Sequence, residues 1–137
     1  MTPVFADTFY WIALTNPKDS SHRKVLDFAR SLGSRIVVTT DEVLTEFLTF
    51  CASEPPLRAE AALAVQDILA AADVRVVPQT RGSFLAGLEL YRARPDKGYS
   101  LTDCIAMQTM RHEGLLEVLT NDRHFQQEGF RALFRDS

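Results

Sequence analysis

With 137 residues, the chain is long enough to bury a core without disulfides or a structural metal, and it fits a single domain over residues 1–137. Hydrophobic residues at 46% and charged residues at 24% are ordinary globular usage, which excludes a disordered tract or a fibrous repeat. A formal net charge of −3, from 15 Lys and Arg against 18 Asp and Glu, excludes a nucleic-acid binder that works by bulk positive charge, though not one with a local basic cluster.

Residues 2–6 are a short apolar run ending at Asp7, and Phe9, Trp11, Ile12 and Leu14 carry the apolar content onward, which reads as a strand followed by a helix. Ser20 or Ser21 can cap the next helix, whose apolar positions Val25, Leu26, Phe28, Ala29 and Leu32 keep helical spacing until Gly33. Residues 35–39, with Ile36, Val37 and Val38, form a β-branched strand. Thr40 caps a helix to about Ala52, bearing Val43, Leu44, Phe47, Leu48 and Cys51 on one side. Pro55 and Pro56 break the chain before an alanine-rich helix over 57–72, a strand over 74–77 and a helix over 83–94. After the turn cluster 95–98, Ser100 opens a helix to about His112 that Gly114 stops. Strands follow at 115–120 and 130–134.

Strands that are apolar rather than alternating, separated by helices, predict a parallel sheet covered on both faces. The expected architecture is therefore α/β, a single α/β/α sandwich. Right-handed crossovers place every strand's C-terminal end on one edge, where open α/β folds bind ligands. No apolar run approaches the roughly 20 residues of a membrane span, and the first residues lack the charged start of a signal peptide, so the expected location is the cytoplasm. Cys51 and Cys104 lack the paired spacing of zinc sites or secreted scaffolds and read as buried free thiols.

Four acids fall on that edge. Asp7 directly follows the first strand, and Asp122 follows the strand at 115–120. Glu46 lies two turns into its helix, beside Val43 and Phe50 at the border of the apolar stripe, and can lean back over the edge. Asp103 shares a helix face with Ala106, Met107 and Met110, where a carboxylate needs a partner. Two carboxylates about 5 to 6 Å apart repel by roughly 3 kcal/mol at an effective dielectric near 20. A hard divalent cation with oxygen ligands relieves that repulsion, and such an ion can activate water and polarise a phosphodiester.

Each acid also has a purely structural account. Asp103 makes a capping box with Ser100, Asp7 and Asp122 suit turns or N-caps, and Glu46 suits a solvated helix face. Convergence is what favours function over these. Thr120 either orients a water or simply ends a strand, and Arg123 either meets a phosphate or lies on the surface. Asp41, Glu42 and Asp96 are expected to face solvent. His22, His112 and His124 show no zinc spacing, and the sequence has no phosphate-binding glycine loop and no nucleophile elbow.

The runs Val4-Phe5-Ala6-Asp7-Thr8, Thr45-Glu46-Phe47, Tyr99-Ser100-Leu101-Thr102-Asp103-Cys104 and Thr120-Asn121-Asp122-Arg123-His124-Phe125, in this order and spacing, resemble the PIN-domain ribonucleases, in particular the VapC toxins of toxin–antitoxin pairs. The resemblance spans nearly the whole chain. It implies strand order 3-2-1-4-5, endoribonuclease activity dependent on magnesium or manganese, homodimers, and a small cognate antitoxin with a segment in the toxin's groove. It would make Asp7, Glu46, Asp103 and Asp122 the acidic quartet, with Thr120 as a supporting hydroxyl. Two alternatives stay open: a housekeeping PIN nuclease without an antitoxin, and a non-catalytic magnesium-binding regulatory module. The latter usually needs adjacent acids after the first strand and a late lysine, whereas Asp7 stands alone and no lysine follows Lys97.

Overall fold

The structure, a computed structural model, describes residues 2–135. Five strands, β1 (Val4–Ala6), β2 (Val37–Thr40), β3 (Val74–Val77), β4 (Glu117–Leu119) and β5 (Arg131–Ala132), form one sheet in the order β3-β2-β1-β4-β5. Every pairing is parallel, with Val4 opposite Val37, Phe5 opposite Val118, and Val37 opposite Val74. The expected sheet and its order are both present. The central strands are buried on both faces, as their unbroken apolar runs require: Val4, Phe5, Ala6 and Val38 expose no surface.

Seven helices, α1 (Thr8–Thr15), α2 (His22–Arg30), α3 (Asp41–Cys51), α4 (Pro55–Ala70), α5 (Arg81–Ala93), α6 (Leu101–Glu113) and α7 (Arg123–Gln127), flank the sheet. Among the described residues none is long and apolar enough to cross a membrane. Trp11 of α1 is tied to the sheet by its indole N–H, which donates to Thr39 Oγ1 at 3.2 Å, while the Thr39 hydroxyl donates to the Ala6 carbonyl at 2.9 Å. Buried polar atoms in the centre of the fold are thereby satisfied. Gly87 lets α5 lie against α6, since a Cβ there would fall 2.3 Å from Ile105 Cγ1 and 3.1 Å from its backbone. Cys51 and Cys104 are buried free thiols, as expected.

Several local expectations shift. Pro55 and Pro56 do not break the chain ahead of α4 but open it, because the first turn needs no N–H from them. Helix α5 starts at Arg81, two residues before the expected 83, because Thr80 caps it with Ser83 as the third residue of a reciprocal capping box. Ser21 sits at the N-cap of α2 without a side-chain bond. Leu48 and Phe50 face outward on α3, and the last strand shrinks to two residues. Asp41 is half-buried, not solvated, because its carboxylate accepts the Gln79 backbone N–H at 2.9 Å. The short helix α7 has no counterpart in the sequence reading.

Candidate active site

Because all strands run the same way, the residues following β1 and β4, helix α3 entered from β2, and the first turn of α6, which runs back to feed β4, meet at one edge. Asp7, Glu46, Asp103, Thr120 and Asp122, the five residues singled out from sequence, all line one open cleft of about 740 Å³ there. Thr8, Ser100, His124, Arg123 and Arg135 line it too.

Asp7 occupies the N-cap position of α1, yet its side chain makes no capping bond. It is 6% exposed, and its Oδ2 accepts a hydrogen bond from the fully buried Thr120 hydroxyl at 2.9 Å. Oδ1 is buried and meets no hydrogen-bond partner among the described residues. Burial first, then the charge of Asp103, push this carboxyl from its ordinary 3.8 up to about 7, against the opposing bonds from Thr120 and the Thr8 backbone; Glu46 adds to the rise.

Thr120 gives its one proton to Asp7 while its oxygen accepts the Asp122 backbone N–H at 3.2 Å. It therefore fixes two of the acids relative to each other. Glu46, half-buried on α3, leans back over the edge as expected, and its Oε1 accepts from the Thr8 hydroxyl. The structural account of Asp103 is real: Ser100 Oγ accepts the Asp103 N–H at 3.0 Å and Asp103 Oδ2 accepts the Ser100 N–H at 3.3 Å. That cap does not exhaust the side chain's surroundings. Burial raises its pKa first, followed by the charges of Asp122 and Glu46, while the Ser100 bonds oppose them. Asp122 likewise caps α7, with Oδ1 accepting the His124 N–H at 2.9 Å.

Sequence reasoning set His124 aside because no zinc spacing surrounds it. Its Nδ1 lies 3.4 Å from Asp122 Oδ1 and 3.8 Å from Asp103 Oδ2, and ligand atoms of these three residues sit within 4.8 Å of one another. Its position two residues after Asp122 was the available signal. Carboxylates that repel one another, one of them with an orphaned buried oxygen, fit a hard divalent cation better than they fit an empty pocket.

The sequence profile of the PIN domain matches residues 4–130. The chain belongs to the PIN-domain family. Among solved PIN-like folds it resembles VapC20 of Mycobacterium tuberculosis, a toxin that cleaves the sarcin–ricin loop, with 27% identity, 93% of this chain and 95% of that one covered, and a TM-score of 0.83. It also resembles VapBC2 of Rickettsia felis, solved bound to a DNA fragment from its promoter, at 12% identity, 96% and 97% coverage and a TM-score of 0.63, a likeness of fold alone. No curated protein matches the chain significantly by sequence. Through VapC20, this PIN domain is similar to a VapC toxin.

Proposed function

We propose that the chain is a single-domain endoribonuclease dependent on magnesium or manganese, and the toxin of a toxin–antitoxin pair. The observation that carries this reading is the convergence of Asp7, Glu46, Asp103 and Asp122 on one cleft, with Asp7 buried, raised in pKa and holding one oxygen without a hydrogen-bond partner among the described residues. In this reading Asp7, Asp103 and Asp122 hold the ion, and Glu46 holds it or orients a water. A divalent ion in such a site lowers the pKa of water and polarises a phosphodiester. Thr120 keeps Asp7 in place, Thr8 keeps Glu46 turned towards the cleft, and Ser100 keeps Asp103 at the mouth of α6. Arg123 and Arg135, on the same cleft, suit a phosphate backbone and supply the local basic cluster that the overall charge of −3 left open. In-line attack of water on phosphorus, with the P–O3′ bond breaking and the 3′ oxygen leaving as a hydroxyl, would yield a 5′-phosphate and a 3′-hydroxyl.

The VapC20 likeness makes the sarcin–ricin loop the first substrate to try, and a toxin of that kind is expected to have a cognate antitoxin. A homodimer belongs to the same reading, and it is supported by Phe84, Leu85 and Tyr91, which leave an apolar outer face on α5 at 38%, 52% and 49% exposure. The test is RNA cleavage by purified protein with magnesium or manganese, with chelator, and after Asp7→Asn. Cleavage that survives the chelator and the substitution would sink the assignment. Growth arrest on expression, relieved by the product of a small neighbouring gene, separates a toxin from a housekeeping nuclease.

A further inference from the structure

Helix α7 is held at both ends. At its start Asp122 accepts the His124 N–H at 2.9 Å, and at its end Glu128 is gripped by Arg94, Arg111 and the Tyr99 hydroxyl at 2.8, 2.8 and 2.9 Å. The Tyr99 ring packs on the His124 imidazole with centroids 5.2 Å apart. A five-residue helix has little stability of its own, so these clamps decide where its side chains point. They aim His124 Nδ1 at Asp122 and Asp103. The nitrogen is buried and meets no hydrogen-bond partner among the described residues, a costly state for a polar atom. At 3.4 and 3.8 Å the carboxylate oxygens make no hydrogen bond to it. Neighbouring ligands on an octahedral ion with bonds near 2.1 Å stand roughly 3 Å apart, so a small inward shift brings all three atoms onto one ion.

We infer that His124 is a nitrogen ligand of the cation in this cleft, beside Asp103 and Asp122, and that it tilts the site from magnesium towards manganese. Magnesium prefers oxygen donors and keeps its own waters, whereas manganese, though also at home among oxygen ligands, is a first-row transition ion and accepts an imidazole nitrogen more readily than magnesium does. An all-carboxylate cleft would discriminate weakly between the two. Tyr99 and Glu128 act through His124 as positioning residues, the phenol ring supporting the imidazole and the carboxylate anchoring the end of α7.

The inference rests on the metal-dependent reading above, and binding measurements separate the two. Manganese binding to the wild-type chain is followed by electron paramagnetic resonance, with magnesium measured by competition, and pulsed spectra are searched for nitrogen coupling. His22 Nδ1 is committed to the Ala13 carbonyl at 2.7 Å and His112 lies in the last turn of α6, so imidazole coupling from this cleft comes from His124. The expected result is nitrogen coupling in the wild type. In His124→Ala that coupling disappears and manganese affinity falls about tenfold, the scale of losing a group that supports a metal site, while magnesium affinity changes by less than about twofold. His124→Gln, which offers oxygen in place of nitrogen, should lose the coupling and the manganese preference without losing the fold. Absent coupling with an unchanged manganese-to-magnesium ratio would overturn the inference. So would tighter manganese binding in His124→Ala, because the imidazole would then be a cationic counter-charge to the acids. Failure of the wild type to bind either ion would overturn the metal-dependent reading as well.

Discussion

Asp7 and Glu128 are both carboxylates taken out of water, and they end at opposite extremes. Burial raises both. At Glu128, whose side chain is 4% exposed, hydrogen bonds from Arg94, Arg111 and Tyr99 outweigh that cost and hold the group near 2. At Asp7 the charged neighbours are other acids, Asp103 and Glu46, and the carboxyl rises to about 7. One carboxylate has been given cations from the chain. The other has acids as its charged neighbours, so in the proposed reading its cation comes from solution, and a carboxyl destabilised in this way is a common accompaniment of a functional site.

The sharpest break in the comparison is Asp7→Asn. RNA cleavage is expected to fall at least about a hundredfold, the scale of losing one preorganised electrostatic group in a reacting site. The metal-free fold should become more stable by about 2 to 4 kcal/mol above pH 7, from a rise of about three units at 1.36 kcal/mol each. The sign follows from proton binding: with a folded pKa of about 7 against 3.8 unfolded, the native state holds the extra proton, so stability falls as pH rises from about 4 to about 7. Thermal melts in chelator at pH 5 and pH 8 test this, and a variant melting below its parent at pH 8 contradicts it. Divalent metal should do for the wild type what the substitution does, adding about 2.7 kcal/mol at a hundredfold excess over Kd and nothing comparable in Asp7→Asn.

Glu128→Gln should move the other way, costing about 1 to 3 kcal/mol at neutral pH through lost charge-assisted hydrogen bonds. A folded pKa near 2 against 4.5 unfolded means that the stabilisation is present above pH 4.5 and disappears as pH falls towards 2. Denaturant titrations at pH 7 and pH 3 should therefore separate wild type from variant at the first pH and bring them closer at the second. The smallest effect expected is from Tyr99→Phe, which keeps the ring on His124 and removes one hydrogen bond to Glu128, about 1 kcal/mol in the same titration. A loss as large as that of Glu128→Gln would show that the guanidinium groups are not the principal anchor.

The sheet was legible because β1 and β2 are too apolar to face water on either side, and the Ser100 capping box was legible because its two partners are three residues apart. The convergence of the acids was legible through topology: parallel strands send Asp7 and Asp122 to the same edge whatever the details of packing. Helix α7 was not, since five residues hold less than two turns of periodicity. The surroundings of His124 depend on Tyr99 and Asp103, more than twenty residues back, and those of Glu128 on Arg94, 34 residues back. Only tertiary structure joins such residues. Leu48 misled for a related reason, because helical spacing gives a face but not whether anything covers it, and it is 36% exposed.

Trp11 is the sole indole of the chain, 4% exposed and hydrogen-bonded inside the fold one turn past Asp7. That makes it a built-in fluorophore. Its emission should be blue-shifted in the native state and move to the red on denaturation, with no competing tryptophan to blur the transition. The melts and titrations described above can therefore be read from intrinsic fluorescence, and the signal reports the packing of α1 on the sheet, the same packing that holds Asp7 over the cleft.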